Sequence, residues 1–158
     1  MADANKLKQG QQAFKTLCAM LDEIEWHYKK DEENLRITSS AKGDDLPIDI
    51  NFSVDVERQL IMFLSKMPFT IPESRRVALA IAVSAANFPM VDGSFDYNFS
   101  EGLIYFRLTS SFRESLLSKE LFKYMLMVSC NTIDEYNDKF LLISKNEMTH
   151  EEIIEFLK

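Results

Sequence analysis

The chain has 158 residues, 46% of them hydrophobic, and a formal net charge of −7 from 25 acids and 18 bases. A chain of this length buries roughly 68–70% of the surface it exposes when unfolded, which is enough for one core without disulfides or a metal. The acidic balance repels phosphates and works against nucleic-acid or anionic-membrane partners.

The N-terminal stretch Met1 to Gln12 is polar and mixed in charge, so no signal peptide is expected. No run approaches the roughly 18 apolar residues of a membrane span. From about residue 4 to 27, Leu7, Phe14, Leu17, Cys18, Leu21 and Ile24 recur at three- and four-residue spacing, the apolar stripe of one helix. The stripe ends near Trp26 and Tyr28, and residues 29–34 then read as a polar loop.

The period changes to two after that loop. Residues 35–38 read as a short strand closed by the turn Gly43, Asp44, Asp45. Ile48, Ile50, Phe52 and Val54 alternate with Asp49, Asn51 and Ser53, which predicts a half-buried strand. After the turn at 55–58, residues 59–65 return as a third strand, continuously apolar from Leu60 to Leu64. A one-faced strand alternates, so this one is expected to have both faces covered.

Pro68 and Pro72 close the sheet run. Proline at a first helical position loses no needed hydrogen bond, and Glu73 complements the helix dipole, so a second helix starts here and runs to Ala86. Gly93 opens a hairpin whose strands carry Phe95, Tyr97 and Phe99, then Leu103 to Leu108, around the turn Ser100, Glu101, Gly102. From Ser118 the helical period returns with Leu121, Met125, Val128, Tyr136 and Phe140. Thr132 with Glu135 has capping-box spacing, so a break near Asn131 is expected. Thr149 with Glu152 repeats that spacing before a short last helix of Ile153, Ile154, Phe156 and Leu157. The order α-β-β-β-α-β-β-α-α predicts an α+β fold: a twisted antiparallel sheet of about five strands with helices mainly on one face. No linker or repeat interrupts it, so one domain over 1–158 is expected.

Signatures of chemistry are sparse. Cys18 and Cys130 each lie alone in apolar, helix-like stretches and read as reduced, buried hydrophobes, which makes the cytoplasm the default compartment. His27 and His150 have no metal-spaced partner. Asp92 to Asp96 lacks the further acids and closing Glu of a calcium loop and reads as a turn. Gly10, Gly43, Gly93 and Gly102 are scattered singly, so no phosphate-cradling motif forms. The basic pairs Lys29 with Lys30 and Arg75 with Arg76, each near acids, read as solvated charge. Met62, Met67, Met125 and Met127 read as core filling. No catalytic, cofactor-binding or metal residue is assigned.

Several local motifs occur in this order. They are the leading helix running to Trp26, His27, Tyr28; Met67 to Glu73; Asn87; Gly93 to Tyr97; Gly102 to Arg107; and a late helix bearing Asp134 and Tyr136. In these the chain resembles the YbjN family, bacterial proteins labelled sensory-transduction regulators and similar in fold to type III secretion chaperones. The resemblance implies a non-enzymatic role through protein contacts and carries over no catalytic residues. Two other readings stay open: a chaperone-like hold on an extended client segment, and a small-ligand domain. Apolar residues on both faces of the strands at 60–64 and 103–108 predict a twofold dimer, unless the C-terminal helix folds back over the second face of the sheet.

Overall fold

The computed structural model describes residues 4–158; Met1 to Asp3, the start of the polar N-terminal stretch, lie outside them. The chain runs through α1 (Ala4–Glu23), β1 (Lys29–Asp31), β2 (Arg36–Lys42), β3 (Pro47–Asp55) and β4 (Leu60–Lys66). A 3-10 turn (Glu73–Arg75) then leads into α2 (Arg76–Asn87), followed by β5 (Ser94–Asn98), β6 (Leu103–Ser111), α3 (Lys119–Lys145) and α4 (His150–Phe156). The strands form one antiparallel sheet in the order β1-β2-β3-β4-β6-β5. This is the α+β fold expected from the sequence, with six strands instead of about five.

The extra strand is β1, in the stretch read as a polar loop. Lys29, Lys30 and Asp31 pair with Thr38, Ile37 and Arg36. All three are exposed, so no apolar alternation marks them. Position comes instead from the turn, where Asp31 accepts hydrogen bonds from the backbone and side-chain nitrogens of Asn34. A three-residue edge strand carrying lysines also discourages pairing with another sheet.

Register then sorts the side chains. Ile48, Ile50, Phe52 and Val54 of β3, Ile61 and Phe63 of β4, and Ile104 and Phe106 of β6 all point into the core. Edge-to-face rings run across it from Phe52 to Phe63 (5.1 Å between centroids), Phe63 to Phe106 (6.3 Å), Phe106 to Phe95 (5.2 Å) and Phe95 to Phe140 of α3 (5.0 Å). This chain of aromatic contacts ties four strands to α3. The opposite side of β4 carries Leu60, Met62 and Leu64, all half-buried, so the expectation that both faces of this strand are covered does not hold.

α3 is one continuous helix, and the expected break near Asn131 is absent. Its buried residues Phe122, Met125, Leu126, Ser129, Ile133, Tyr136, Asn137, Phe140 and Ile143 keep an unbroken helical period through that point. Burial of the stripe outweighs the local capping preference of Thr132. The second capping box is formed as expected, with Thr149 and Glu152 satisfying each other's backbone donors at the start of α4.

Arg75 is not solvated charge. Its guanidinium donates to the carbonyl of Ile143 (Nη2, 2.9 Å) and to that of Asn146, at the C-terminal end of α3, where a cation meets the negative end of the helix dipole. Arg75→Met is therefore expected to lower stability by about 1.5 kcal/mol, since a charged donor is lost to part-buried carbonyls. Urea unfolding checks this, and an unchanged midpoint refutes it. Arg76 is likewise engaged, donating to the carbonyl of Ser100 at 2.7 Å. Lys29 and Lys30 are exposed, as expected.

Candidate interaction surfaces

The groups capable of chemistry are spread out or already engaged. His27 and His150 are exposed. The two aspartates of the 92–96 turn serve different partners: Asp92 accepts from the Tyr124 hydroxyl, and Asp96 pairs with Arg107 at 2.8 Å. Among the described residues, no group of three or more His, Cys, Asp or Glu side chains is arranged to hold a metal ion. No described helix is long and apolar enough to cross a membrane.

The densest polar cluster lies between α1 and β1, in an open depression lined by Lys15, Cys18, Asp22, Lys30 and Glu32. The Tyr28 hydroxyl donates to Asp22 at 2.8 Å; burial and that bond together hold the phenol far above its usual range. Lys30 and Glu32 pair at 2.5 Å on the exposed rim. Burial also raises the Cys18 thiol, only partly offset by its bond with Tyr28. A protonated thiol is a poor nucleophile.

Cys130 is the more shielded thiol. Burial pushes it up to about 11, with nearby Asp134 adding to the effect. Both cysteines are free and half-buried, less enclosed than the sequence implied. Native labelling by iodoacetamide at pH 8 is expected to be slow, and fast in denaturant; equal rates would contradict this. The fold holds the thiol protonated, so its contribution to stability is full below the ordinary value of 9.0 and is lost as pH rises toward 11.

The most distinctive surface is apolar and lies on α2. From Val77 to Val91 the chain has no charged residue. Leu79, Ala82, Val83 and Ala86 point inward, and α2 packs against α3, α4 and β5. A helix that is apolar all round is normally buried all round. Here the outward side is open: Val77 is 62% exposed and Phe88 93%.

α4 forms one wall of this surface. It buries Ile153 and Leu157, and it lies against α2, not over the second face of the sheet. Its Ile154 joins Val77, Ala80, Ile81, Ser84, Ala85 and Phe88 around a groove of about 640 Å³, in which Ser84 is the one polar lining side chain. Beyond Phe88 the apolar surface continues through Tyr97 and Phe99, whose rings meet edge-on at 6.0 Å. The Tyr97 hydroxyl is buried without a hydrogen-bond partner, and burial raises its phenol despite the opposing charge of Arg76. Asn87 closes part of the sheet edge beside this surface, its side chain exchanging hydrogen bonds with the backbone N–H and carbonyl of Phe95 (2.7 and 2.9 Å).

A second open surface is the outer face of the sheet. Leu60, Met62 and Leu64 form a narrow apolar stripe continued by Tyr105. Polar neighbours flank it: Asn51 and Ser53 on β3, Arg107 and Thr109 on β6. Of the four methionines read as core filling, Met67 and Met125 are buried, Met62 lies on this stripe, and Met127 is exposed. The sequence reading gave α2 as a helix running to Ala86 and missed its open outer face. The available signal was the charge-free run itself, since an α-helix with one solvated side needs polar residues there.

No protein-family model and no curated protein sequence matches the chain. Solved structures do match its fold. A crystal structure of YbjN, a candidate transcription regulator from E. coli, aligns with TM-score 0.59 at 15% identity, covering 81% of this chain and 93% of that one. A chain of the HopA1–SchA chaperone–effector complex aligns with TM-score 0.55 at 14% identity, covering 82% of this chain and 95% of that one. The chain thus shares a fold with YbjN and with a secretion-chaperone complex.

Proposed function

We propose that this chain is a non-enzymatic protein-interaction protein of the YbjN type. It acts as one domain over residues 1–158, as a twofold homodimer in the bacterial cytoplasm, without cofactor, nucleic acid or membrane. The observation that carries this reading is the open apolar groove between α2 and α4, whose lining side chains include no titratable group. Contiguous apolar surface of this kind favours a protein partner. Small-ligand sites instead converge several polar groups inside an enclosed pocket. The likeness to a chaperone–effector chain supports protein contacts as the working chemistry.

A second reading is favoured by the outer stripe of Leu60, Met62, Leu64 and Tyr105. A strip one strand wide with polar flanks suits an extended client segment laid along the sheet, with alternate side chains on the stripe. The test is affinity capture of the full chain from its native cell, followed by purification of each captured protein and rebinding. A stoichiometric partner that rebinds when pure is the expected result. A small metabolite that raises the melting temperature by several degrees, with no protein rebinding, would overturn the proposal.

A further inference from the structure

The groove between α2 and α4 restricts the conformation of whatever fills it. Both walls are helices, whose backbone donors and acceptors are used within each helix; the Phe88 N–H, for one, donates back to the Ser84 carbonyl at 3.2 Å. An extended guest laid there would bury its own N–H and C=O groups with nothing to bond them, which is costly. A helical guest brings those bonds already made within itself. The floor suits such a guest. From Val77 to Phe88 the outer line of α2 spans three helical turns, about 16 Å at 1.5 Å per residue. Ala80, Ser84 and Ala85 are small, so a guest backbone can come close, and Val77, Phe88 and Ile154 stand around them.

Charge narrows the guest further. Glu73 lies one turn before Val77, and Glu151 lies one turn before Ile154 on α4. Both carboxylates are exposed, and no described residue pairs with either. The cations nearby are engaged elsewhere: Arg75 with the carbonyls of Ile143 and Asn146, Arg76 with that of Ser100, and Lys158 with Glu155. The whole chain carries −7, so the wider field also favours a cationic guest. A second copy of this chain would bring the same two carboxylates and the same net charge to the contact. The charges therefore favour a different protein.

We infer that this groove is the docking site for an amphipathic helix of another protein, apolar at i, i+3, i+4 and i+7 and carrying Lys or Arg on its flanks. The guest completes a layer of three helices with α2 and α4. Its apolar side chains lie against Ala80, Ser84 and Phe88, and its cations reach toward Glu73 and Glu151. The inference rests on the protein-interaction reading above and adds the conformation and charge of the partner segment at this surface. Self-association then falls to another surface.

The test is fluorescence anisotropy on the full chain with labelled peptides of about 18 residues, long enough to form a helix on binding. One peptide carries Leu along a helical stripe with Lys on both flanks. A second has Glu in place of each Lys, and a third is the first with proline at its centre. The Lys-flanked peptide is expected to bind, and the other two at least tenfold more weakly. Phe88→Gln removes an anchor and Ser84→Trp fills the floor, both at exposed positions and without changing charge; circular dichroism checks that each variant folds. Each is expected to weaken binding at least tenfold, while Met62→Gln on the sheet stripe binds as wild type. Glu73→Lys combined with Glu151→Lys is expected to reverse the preference between the Lys and Glu peptides. No binding by the Lys-flanked peptide, equal binding by the proline form, or binding that survives Phe88→Gln overturns the inference. So does loss of self-association in Phe88→Gln, read by light scattering, since the groove then belongs to a second copy. A captured protein that rebinds Phe88→Gln as tightly as wild type removes this site and leaves the protein-interaction reading standing.

Discussion

Phe106→Ala is expected to lower unfolding stability by about 3–5 kcal/mol, the range for removing a buried aromatic ring and leaving a cavity. Phe106 is fully buried on β6 and meets Phe63 and Phe95 edge-on, at interplanar angles of 71° and 68°. It therefore links β4 to β5, and through Phe95 it reaches Phe140 of α3. Its ring also closes the start of the hairpin, since any Cβ added at Gly93 would lie 2.5 Å from its Cζ. Domains of this kind have about 5–15 kcal/mol in total, so the variant would stand near the edge of folding. Tyr105→Ala is the internal control. Its side chain lies on the opposite, open face, and a loss below about 1 kcal/mol is expected there, as for most partly exposed sites. Urea unfolding of both variants decides the matter. Equal losses would mean that the two faces of β6 contribute alike, contrary to the burial pattern.

Gly102→Ala is the second large effect, expected at about 3 kcal/mol or more from backbone strain and a backbone collision together. Gly102 adopts φ of +70°, in the left-handed region where a side chain is costly. A Cβ at this position would lie 2.4 Å from the carbonyl oxygen of Ile71, and backbone cannot swing aside as a flexible side chain does. The close approach has a structural purpose. Ile71 N–H donates to the carbonyl of Gly102 at 2.8 Å, and Met67 N–H to that of Ile104 at 2.9 Å. These bonds clamp the segment with Pro68 and Pro72 against β6 and set where α2 begins. Gly102→Ala should therefore lower the melting temperature and also loosen the α2 face, read as faster amide exchange along residues 76–88. A variant with wild-type stability would show that the Ile71 segment can move away at little cost.

The sequence alone determined most elements of this fold, because their signals are local. Alternation of Ile48, Ile50, Phe52 and Val54 fixes which side of β3 is buried, and a slip of one residue would turn all four to water. The heptad-like stripe of α1 and the capping box of Thr149 and Glu152 are read the same way, from spacing and side-chain type. Where the reading failed, a distant partner outweighed the local preference. β1 exists because β2 lies beside it, and nothing within Lys29, Lys30 and Asp31 announces pairing. α3 runs through Thr132 because its stripe stays buried under neighbouring elements. Arg75 looked solvated until the end of α3, some seventy residues onward, supplied its two carbonyls.

The candidate site divides along the same line. That the run from Val77 to Val91, which holds most of α2, is uncharged is written in the sequence; which side of the helix faces water is not. Burial is a property of what packs around a helix, and only the placement of α3, α4 and β5 on three sides of α2 leaves Val77 and Phe88 open. Similarly, the run from Leu60 to Leu64 shows an apolar strand, but whether a layer lies on its second face depends on where the C-terminal helix goes. Ile153 and Leu157 carry α4 to α2, because the apolar area available there is continuous while the sheet face is broken by Asn51, Ser53, Arg107 and Thr109. Local patterning thus chose the elements, and competition among apolar surfaces for the same partners decided which faces stayed exposed.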